Sequence, residues 1–357
     1  RNIKVYYNDL PFTDPGGNTY LNSLGYYNYQ SIEIIKGPGS SLYGAGTGGV
    51  LLIEALNRNE QPNAVAEYTR GSFGLQNVFA SVAIGAAESR QKIGFQHQAS
   101  EGYRVQSALK RNLLSWNGSF GASSKGLLKT TFLYSDLSYG TPGALTKAEF
   151  DANPRMARPA GGGFPGAEQA KATIYQKTFL AGASYTHPLS ASFSNTLALY
   201  GLFTELRNPT VRNYSKSEEP HVGGRTSFTF QRNGLTLIAG GEWQQNFSSV
   251  ATYKNKNGEP DTLQSLDDFP VRQASIFLQA GYEYQGWELI AGGSLNFLRT
   301  RFQRTAPLPS ATQQQDINHE FAPRVSLSRK WKNWTVYSGI AKGFSPPTSA
   351  ELVPSGS

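Results

Sequence analysis

The stretch from Gln273 to Trp287, QASIFLQAGYEYQGW, alternates between apolar and mostly polar residues until it reaches the turn pair Gln285-Gly286. One face consists of Ala274, Ile276, Leu278, Ala280, Tyr282 and Tyr284. The opposite face carries Gln273, Ser275, Gln279 and Glu283. A period of two residues predicts a β-strand with one apolar side, ending in a tight turn.

The same pattern continues through most of the chain. From about residue 62 onward, short alternating segments are separated by turn residues, and no segment has the 3.6-residue stripe of an amphipathic helix. Strands are predicted at 64–72, 75–85, 90–100, 113–123, 126–137, 172–187, 191–205, 222–232, 234–247, 273–284, 286–300, 319–330 and 333–343. This part of the protein is therefore predicted to be all-β.

The connections between these strands alternate in length. Short turns are expected at 86–89, 123–126, 187–191, 232–234, 285–286 and 330–333. Longer connections are expected at 101–112, 138–171, 206–221, 248–272 and 301–318. A soluble β-sandwich would give the same alternation along each strand, but short turns at one rim and long loops at the other are typical of a transmembrane antiparallel β-barrel. Aromatic residues beside two of the short turns fit an interfacial girdle: Tyr282, Tyr284, Trp287, Trp331 and Trp334.

The composition agrees with a barrel and excludes several other classes. The 357 residues include 38 Gly, 19 Tyr and 20 Phe but no Cys, so disulfides, thiolate metal sites and Cys nucleophiles are excluded. The mean hydropathy of −0.42 and the lack of an 18-residue apolar run argue against a membrane helix. The net charge of +8 fits either a solvated surface of mixed charge or attraction for an anionic solute. A nucleic-acid partner is not expected, because Lys and Arg are scattered along the chain.

Residues 1–57 form a different segment, rich in Gly and Pro, with a boundary predicted between Asn57 and Asn63. Gly44 to Gly49 satisfies the G-x-G-x-x-G spacing of dinucleotide-binding proteins, which requires a helix immediately afterwards. The apolar run Val50-Leu51-Leu52-Ile53 predicts a strand there instead. Nucleotide binding is therefore not expected.

Four stretches in order resemble TonB-dependent receptors of bacterial outer membranes. Val5-Tyr6-Tyr7-Asn8-Asp9-Leu10-Pro11 is similar to the family's V-x-V-D-G-x-P strand, with Asn8-Asp9 in place of Asp-Gly. Ile32-Glu33-Ile34-Ile35-Lys36-Gly37-Pro38 resembles I-E-V-x-R-G-P, with Lys36 in place of Arg. Leu42-Tyr43-Gly44 with Gly48-Gly49-Val50 resembles L-Y-G-x-x-x-G-G-V, and the run from Gly343 to Leu352 resembles the mid-barrel segment G-F-x-P-P-x-x-x-E-L.

The resemblance implies a barrel of about 22 strands when complete, of which this chain carries roughly the first half. Residues 1–57 would be the C-terminal part of an internal plug domain, and residues 58–357 the first part of the barrel. A signal peptide and the segment that contacts TonB are expected to precede this numbering. The implied partners are TonB, ExbB and ExbD, the outer-membrane lipid and a ferric chelate. The resemblance implies neither an enzymatic activity nor a cofactor.

The resemblance also suggests which residues bind the solute, since it implies that plug loops reach the external vestibule. Gly102-Tyr103-Arg104, Thr141-Pro142-Gly143 and the run from Asn153 to Pro159 look like loops of iron-complex receptors, notably of the ferric-citrate type. Asn18, Tyr20 and Tyr43 are candidates in the plug, and Arg104, Arg155 and Arg158 are candidates in the long connections, because guanidinium groups form paired hydrogen bonds with carboxylates. The alternatives are that the first three pack on the plug and that the arginines are solvated or hold the loops together.

Other functions stay open from the sequence. Uptake of haem, cobalamin or another solute is an alternative, and His221 and His319 would matter for haem. A passive porin or an adhesin barrel is a further alternative, although neither needs residues 1–57. The four histidines have no metal-ligand spacing, and the acidic pairs Glu218-Glu219 and Asp267-Asp268 are expected to be solvated rather than catalytic.

Overall fold

The computed structural model describes residues 3–25, 29–44, 46–56, 59, 61–86, 88–121 and 124–345. Two β-sheets make up nearly all of this part of the chain. Its helices are short: a 3₁₀ turn at Leu21–Ser23, α1 at Ser40–Tyr43 and α2 at Lys147–Ala152. The helix α2 begins with a capping box, in which Thr146 and Glu149 satisfy each other's backbone amides.

A small sheet, here called the N-terminal sheet, has the strand order β2-β1-β4-β3. Its strands are β1 (Ile3–Tyr7), β2 (Leu10–Pro11), β3 (Ser31–Lys36) and β4 (Gly49–Glu54). The run expected to be a strand rather than a helix after Gly49 is β4, so that prediction is confirmed. Asn8 and Asp9 join β1 to β2 with positive φ angles of 48° and 70°, a conformation that Asn and Asp tolerate better than most residues.

Gly49 is the position in this sheet where a side chain could not be accommodated. Its φ is +144°, and a Cβ atom there would lie 2.4 Å from the carbonyl oxygen of Ile35 on the neighbouring strand. Backbone atoms cannot move aside as a flexible side chain can, so only glycine lets β3 and β4 pair closely here.

A 15-stranded antiparallel sheet, here called the wall sheet, follows. Its strands are β5 (Asn63–Arg70), β6 (Gln76–Ala86), β7 (Ser89–Ser100), β8 (Leu109–Phe120), β9 (Leu127–Gly140), β10 (Thr173–Ser190), β11 (Phe193–Pro209), β12 (Tyr214–Arg232), β13 (Leu235–Asn246), β14 (Ser248–Lys256), β15 (Glu259–Phe269), β16 (Val271–Tyr284), β17 (Trp287–Ala306), β18 (Gln313–Lys330) and β19 (Thr335–Ala341). Each of the thirteen predicted strands overlaps one of these. The all-β antiparallel prediction is confirmed.

Three predicted connections are wrong in extent. Residues 206–221 and 301–318 are mostly strand, because β11, β12, β17 and β18 run several residues further than predicted. The supposed loop 248–272 contains the hairpin β14–β15, which pairs with β12 on one side and with β17 on the other. The hairpin therefore extends the wall sheet beyond the end of β13.

The wall sheet has its apolar side outward, the reverse of a soluble protein. In β16, Ile276 and Leu278 are 58% and 59% exposed, whereas Gln273 and Ser275 on the opposite face are 7% and 5% exposed. The same inversion occurs in β6, where Val82 and Ile84 are exposed and Asn77 and Ser81 are buried. An apolar face of this extent is stable next to lipid and is a liability in water.

The two rims of the wall sheet differ as predicted. At one, here called the turn rim, pairs such as Asn233-Gly234 and Gln285-Gly286 connect strands directly, with positive φ at all four residues. At the other, the loop rim, the connections include residues 101–108 and 141–172. The aromatic residues predicted near the turn rim are exposed on the outer face: Tyr282, Tyr284, Trp287, Trp331 and Trp334.

The N-terminal sheet packs against the inner face of the wall sheet. Their shared core includes Val5, Tyr7 and Leu10 from the first and Leu133 and Leu180 from the second, all almost completely buried. No helix in the described ranges is long and apolar enough to cross a membrane.

Candidate functional site

A buried ionic cluster joins the N-terminal sheet to the wall sheet. Lys4 of β1 lies 2.6 Å from Glu242 of β13, and the exposed fractions of the two side chains are 4% and 3%. The second Glu242 oxygen accepts hydrogen bonds from the Tyr6 hydroxyl at 2.7 Å and from Arg225 of β12 at 3.0 Å. The cluster therefore holds two cations around one carboxylate, with a net charge of +1.

Three aromatic rings lie around Arg225, one of the two cations of this cluster. The Arg225 guanidinium lies 4.3 Å from the ring centre of Phe277, 5.2 Å from Tyr43 and 5.6 Å from Tyr6. Ring faces attract a cation, so three rings partly replace the water that Arg225 gives up. Burial raises the pKa of Tyr6 and of Tyr43 above the usual value, so both phenols stay protonated near neutral pH.

The turn between β1 and β2 makes a second, more polar contact. The Asn8 side-chain amide donates to Asn117 at 2.7 Å and to Thr131 at 2.9 Å, both on the inner face of the wall. Lys129 of β9 donates to Asp9 at 3.0 Å and to Glu54 at 3.2 Å. The left-handed turn at Asn8-Asp9 thus points two side chains at the wall, which explains why polar residues occupy it.

A cavity of about 390 Å³ lies between the ionic cluster and this turn. Arg225 and Lys129 contribute cations, Asp9 and Glu54 contribute carboxylates, and Tyr43 adds a ring. Hydroxyl groups line its wall side: Thr186, Thr196, Ser227 and Thr229. Apolar side chains such as Leu42, Leu52 and Ile238 complete the lining, so the cavity has both polar and apolar surface.

A smaller cavity lies nearer the loop rim and contains Asn18 and Tyr20. Its lining includes Asp14, Glu219 and His221. The Tyr20 hydroxyl donates to Glu219 at 2.8 Å, and the Asn18 backbone and side chain donate to Asp14 at 2.8 Å and 3.2 Å. Burial raises the pKa of Asp14 to about 6, and the hydrogen bonds from Asn18 oppose this rise.

The three candidate arginines lie in the long connections at the loop rim. Arg104 donates from Nε and Nη2 to the carbonyl oxygen of Met156, at 3.1 Å and 2.9 Å. The Arg155 guanidinium lies 5.3 Å from the ring centre of Tyr103 and 5.9 Å from that of Phe73. Arg158 has a buried Nη1 with no hydrogen-bond partner in the part of the chain that the structure describes.

An open cavity of about 370 Å³ adjoins this group. Its lining includes Arg104, Tyr103, Lys147 and the half-exposed ring of Phe150. Cationic groups beside aromatic rings suit an anion that also has apolar or aromatic parts.

The six predicted ligand residues therefore fall at three places. Tyr43 belongs to the ionic cluster, Asn18 and Tyr20 lie at the smaller cavity, and Arg104, Arg155 and Arg158 lie at the loop rim. Two of the arginines already hold loop segments together. The sequence reasoning did not single out Lys4, Lys129, Arg225 or Glu242, because their partners are far away in the chain. The described residues contain no group of three or more His, Asp or Glu side chains arranged to hold a metal ion.

Solved structures with the same fold are known. The unliganded ferric citrate transporter FecA superposes with a TM-score of 0.79 at 14% identity, over 98% of this chain and 55% of FecA. The ferric yersiniabactin uptake receptor FyuA from Yersinia pestis gives 0.74 at 12% identity, over 96% and 55% of the two chains. The siderophore receptor PiuA from Acinetobacter baumannii gives 0.72 at 12%, over 94% and 56%. The chain thus spans about half the length of the structures it matches.

The family comparison covers almost the whole chain. Residues 4–356 match the family described as TonB dependent receptor-like, beta-barrel. Proteins of this family are transporters of the outer membrane of Gram-negative bacteria, not enzymes. The outward apolar face, the two unlike rims and the ordered glycine-containing segments all agree with this match. This chain belongs to the TonB-dependent receptor β-barrel family.

Proposed function

We propose that the chain is part of an outer-membrane receptor that binds a ferric chelate, a siderophore or ferric citrate, and imports it with energy from TonB, ExbB and ExbD. Residues 1–57 would form the C-terminal part of the plug, and residues 58–357 the first part of the barrel. The wall would lie in the outer membrane with the loop rim outside the cell.

The observation that carries this proposal is the polar attachment of the N-terminal sheet to the inner face of an inside-out wall. A passive pore gains nothing from a lumen occupied by a separate sheet, and an adhesin needs only loops. The contacts at Glu242, Lys129 and Asn117 are ionic or hydrogen-bonded. Such an occupant blocks free diffusion, so solute entry requires it to rearrange.

The loop rim supports an anionic solute. Arg104 lines the open cavity together with the rings of Tyr103 and Phe150, and the Arg155 guanidinium lies 5.3 Å from the ring centre of Tyr103. Arg158 supports this most directly, because its buried Nη1 is an unused donor. Ferric citrate and many iron chelates present carboxylates or other oxygen donors that such groups bind.

Growth tests whether the protein imports iron. Strains with and without the gene, and with and without TonB, would be grown on ferric citrate, a ferric hydroxamate, a ferric catecholate or haem as sole iron source. We expect one chelate to support growth only when both the gene and TonB are present. Equal growth of all four strains on every iron source would rule out the iron proposal.

Binding tests which residues contact the solute. Quenching of tryptophan fluorescence in the purified full-length receptor would give the affinity for each chelate and for cobalamin. Replacing Arg158 by Gln should weaken binding of the preferred anionic chelate on the order of tenfold, the effect of one lost charge-assisted hydrogen bond. Arg329→Gln, at the opposite rim, is the matched control and should bind like the wild type. Preference for haem or cobalamin would favour the alternative solutes.

Conductance separates a receptor from a porin. The intact protein in a planar bilayer should show no steady ion current, because the N-terminal sheet occupies the lumen. A large, stable current from the wild-type protein would favour the passive pore.

A further inference from the structure

Three arginines gather on the outer face of the wall, outside every site described so far. Arg272 of β16 pairs directly with Arg299 of β17, and Arg301 follows two residues later on the same face. Together with Gln245 and Pro270 they line a shallow cavity of about 50 Å³. A cavity of that size holds several waters, so it can also hold one phosphate group.

The outward orientation of these arginines follows from the strand alternation. In β17 the inward residues Leu298, Thr300 and Phe302 are buried, whereas Arg299 and Arg301 between them are exposed. In β16, Arg272 belongs to the same face as the exposed Ile276 and Leu278. The arginines therefore share the face that the lipid covers.

Along the strands, the three arginines lie at the end of the outward apolar face that is nearer the loop rim. Along β17 the outward residues run from Trp287 near the turn rim through Leu289 and Leu295 to Phe297, and Arg299 comes next. Ten residues from Trp287 to Phe297 rise about 33 Å along the strand, or roughly 25 Å across a bilayer if the strand tilts by about 40°. That is the height of the apolar band of outer-membrane barrels. The arginines begin where the lipid tails end.

Neighbouring side chains hold the three guanidinium groups in place. Arg272 donates from Nε to Gln245 at 3.0 Å, and Arg301 donates from Nε to Gln314 at 2.9 Å. Arg299 donates to Asp316 through Nε at 2.8 Å and Nη2 at 3.4 Å. Within the described ranges, the Nη groups of Arg272 and Arg301 donate to no protein atom. In Arg272 and in Arg301, Nε is therefore held by a hydrogen bond to the protein, and the Nη groups can donate to a ligand.

The local charge favours an anion. Asp316 forms an ion pair with Arg299 and also interacts electrostatically with Arg301, so one negative charge faces three positive charges. The next carboxylate on this side, Asp268 opposite Gln303, does not line the cavity. The lining itself has three cations and no acidic group. At the boundary between lipid tails and water, the anions present at high local concentration are phosphates of lipid headgroups.

We propose that Arg272, Arg299 and Arg301 form a binding site for the phosphate of an anionic lipid headgroup in the outer leaflet. The inference rests on the proposed orientation of the wall in the outer membrane, but it does not depend on which solute is imported. Arginine suits this role, since its planar fork donates two parallel hydrogen bonds to a phosphate. A lipid bound there would contact β13, β16 and β17 together and fix that part of the wall relative to the membrane surface.

The test measures lipid binding directly. Fluorescent lipid A with two phosphates would be titrated into the full-length receptor in a zwitterionic detergent, without any iron chelate. We expect the double variant R272Q/R301Q to bind it at least tenfold more weakly than the wild type, because two charge-assisted contacts are lost. The matched control K254Q/K256Q removes the same charge from the exposed hairpin β14–β15 and should bind like the wild type.

Two further arms make the outcome decisive. Asp316→Asn removes the carboxylate that competes for Arg299 and should tighten binding several-fold, a gain that damage to the fold could not produce. Dephosphorylated lipid A should not bind, and millimolar inorganic phosphate should displace the labelled lipid only weakly. Equal binding by R272Q/R301Q, or weaker binding by Asp316→Asn, would overturn the proposal. Full displacement by inorganic phosphate would mean a site for free oxyanions and would also overturn it.

The same samples separate this proposal from the proposed transport function. Chelate binding, read by fluorescence quenching, should be unchanged in R272Q/R301Q because the arginines face away from the lumen. Loss of lipid binding with normal chelate binding supports the lipid site. A receptor that binds lipid A but no chelate would count against the proposed cargo alone.

Discussion

Removing the single carboxylate of the ionic cluster should release the N-terminal sheet far more than removing one of its cations. In the wild type, Glu242 lies between Lys4 at 2.6 Å and Arg225 at 3.0 Å. Glu242→Gln leaves two buried cations on either side of a neutral amide. Lys4→Met leaves Glu242 paired with Arg225 and the Tyr6 hydroxyl, a charge-balanced group.

The magnitudes follow from what each change leaves behind. Leaving buried charges uncompensated costs about 3–5 kcal/mol, which is the expectation for Glu242→Gln. Lys4→Met forfeits one charge-assisted hydrogen bond, about 1.5–3 kcal/mol, and leaves no unpaired charge. The N-terminal sheet should therefore open roughly tenfold or more often in Glu242→Gln than in Lys4→Met, since about 1.4 kcal/mol is tenfold in an equilibrium.

A thiol reporter measures this opening. These 357 residues contain no cysteine, so Ala55→Cys introduces one thiol into them, directly after β4 at a position that is 1% exposed. Any cysteine elsewhere in the full-length receptor would be replaced by Ala. The rate of maleimide labelling of the folded full-length receptor then reports how often the sheet leaves the wall. Lys147→Met and Asp151→Asn break an exposed ion pair at the loop rim, and each should leave the labelling rate nearly unchanged.

The explanation is tested by comparing the labelling rates of Lys4→Met and Glu242→Gln. If Lys4→Met accelerated labelling as much as Glu242→Gln, residual charge would not control attachment, and the reasoning about the cluster would be wrong. Unchanged labelling in both variants would mean that other contacts hold the sheet.

Three further changes have defined outcomes. Burial raises the pKa of Asp14 to about 6, so the folded state holds the proton more tightly than the unfolded state. The contribution of Asp14 to stability therefore falls as pH rises from about 4 to about 6 and is constant above. Asp14→Asn should abolish this part of the pH dependence of the labelling rate. Leu278→Arg, midway down the apolar face, should lower the unfolding free energy in lipid vesicles by about 2–4 kcal/mol, whereas Gln303→Arg above the belt should cost about 1 kcal/mol or less; equal costs would contradict the proposed position of the membrane. Gly182→Ala should speed labelling, because a Cβ there would lie 2.6 Å from the Leu10 side chain and 2.8 Å from the backbone oxygen of Leu199. A labelling rate equal to that of the wild type would mean that Leu10 and Leu199 shift without cost to make room for the methyl group.

The strands that face lipid were predictable from the sequence, and those beyond the membrane were not. Along most of β16 and β17 the outward positions carry apolar residues, as the proposed contact with lipid requires, so the period of two is easy to recognise. The hairpin β14–β15 lacks such an apolar face and includes Lys254-Asn255-Lys256-Asn257-Gly258, a typical loop composition. Its backbone pairing with β12 and β17 stabilises it instead, and that pairing leaves no local pattern.

The contacts between the two sheets were also beyond the reach of sequence reasoning. Lys4 and Glu242 are separated by 238 residues, and Asn8 and Asn117 by 109. Glu242 occurs in an ordinary alternating strand, where an inward carboxylate looks like any other polar residue. Tyr43 was recognised through the glycine-containing motif that surrounds it, but only the fold reveals Arg225 beside its ring.

The attachment of the N-terminal sheet has a mechanical consequence. Its contacts with the wall are of two kinds: one apolar core around Val5, Tyr7 and Leu10, and separate polar contacts such as those of Asn8 with Asn117 and Thr131. Each polar contact between neutral groups is worth about 0.5–1.5 kcal/mol, because water can replace it. A steady pull on one end would load the polar contacts one after another, whereas the apolar side chains have to leave the wall together. The apolar core therefore sets the force at which the sheet separates, while the hydrogen-bonded strands of the wall stay intact.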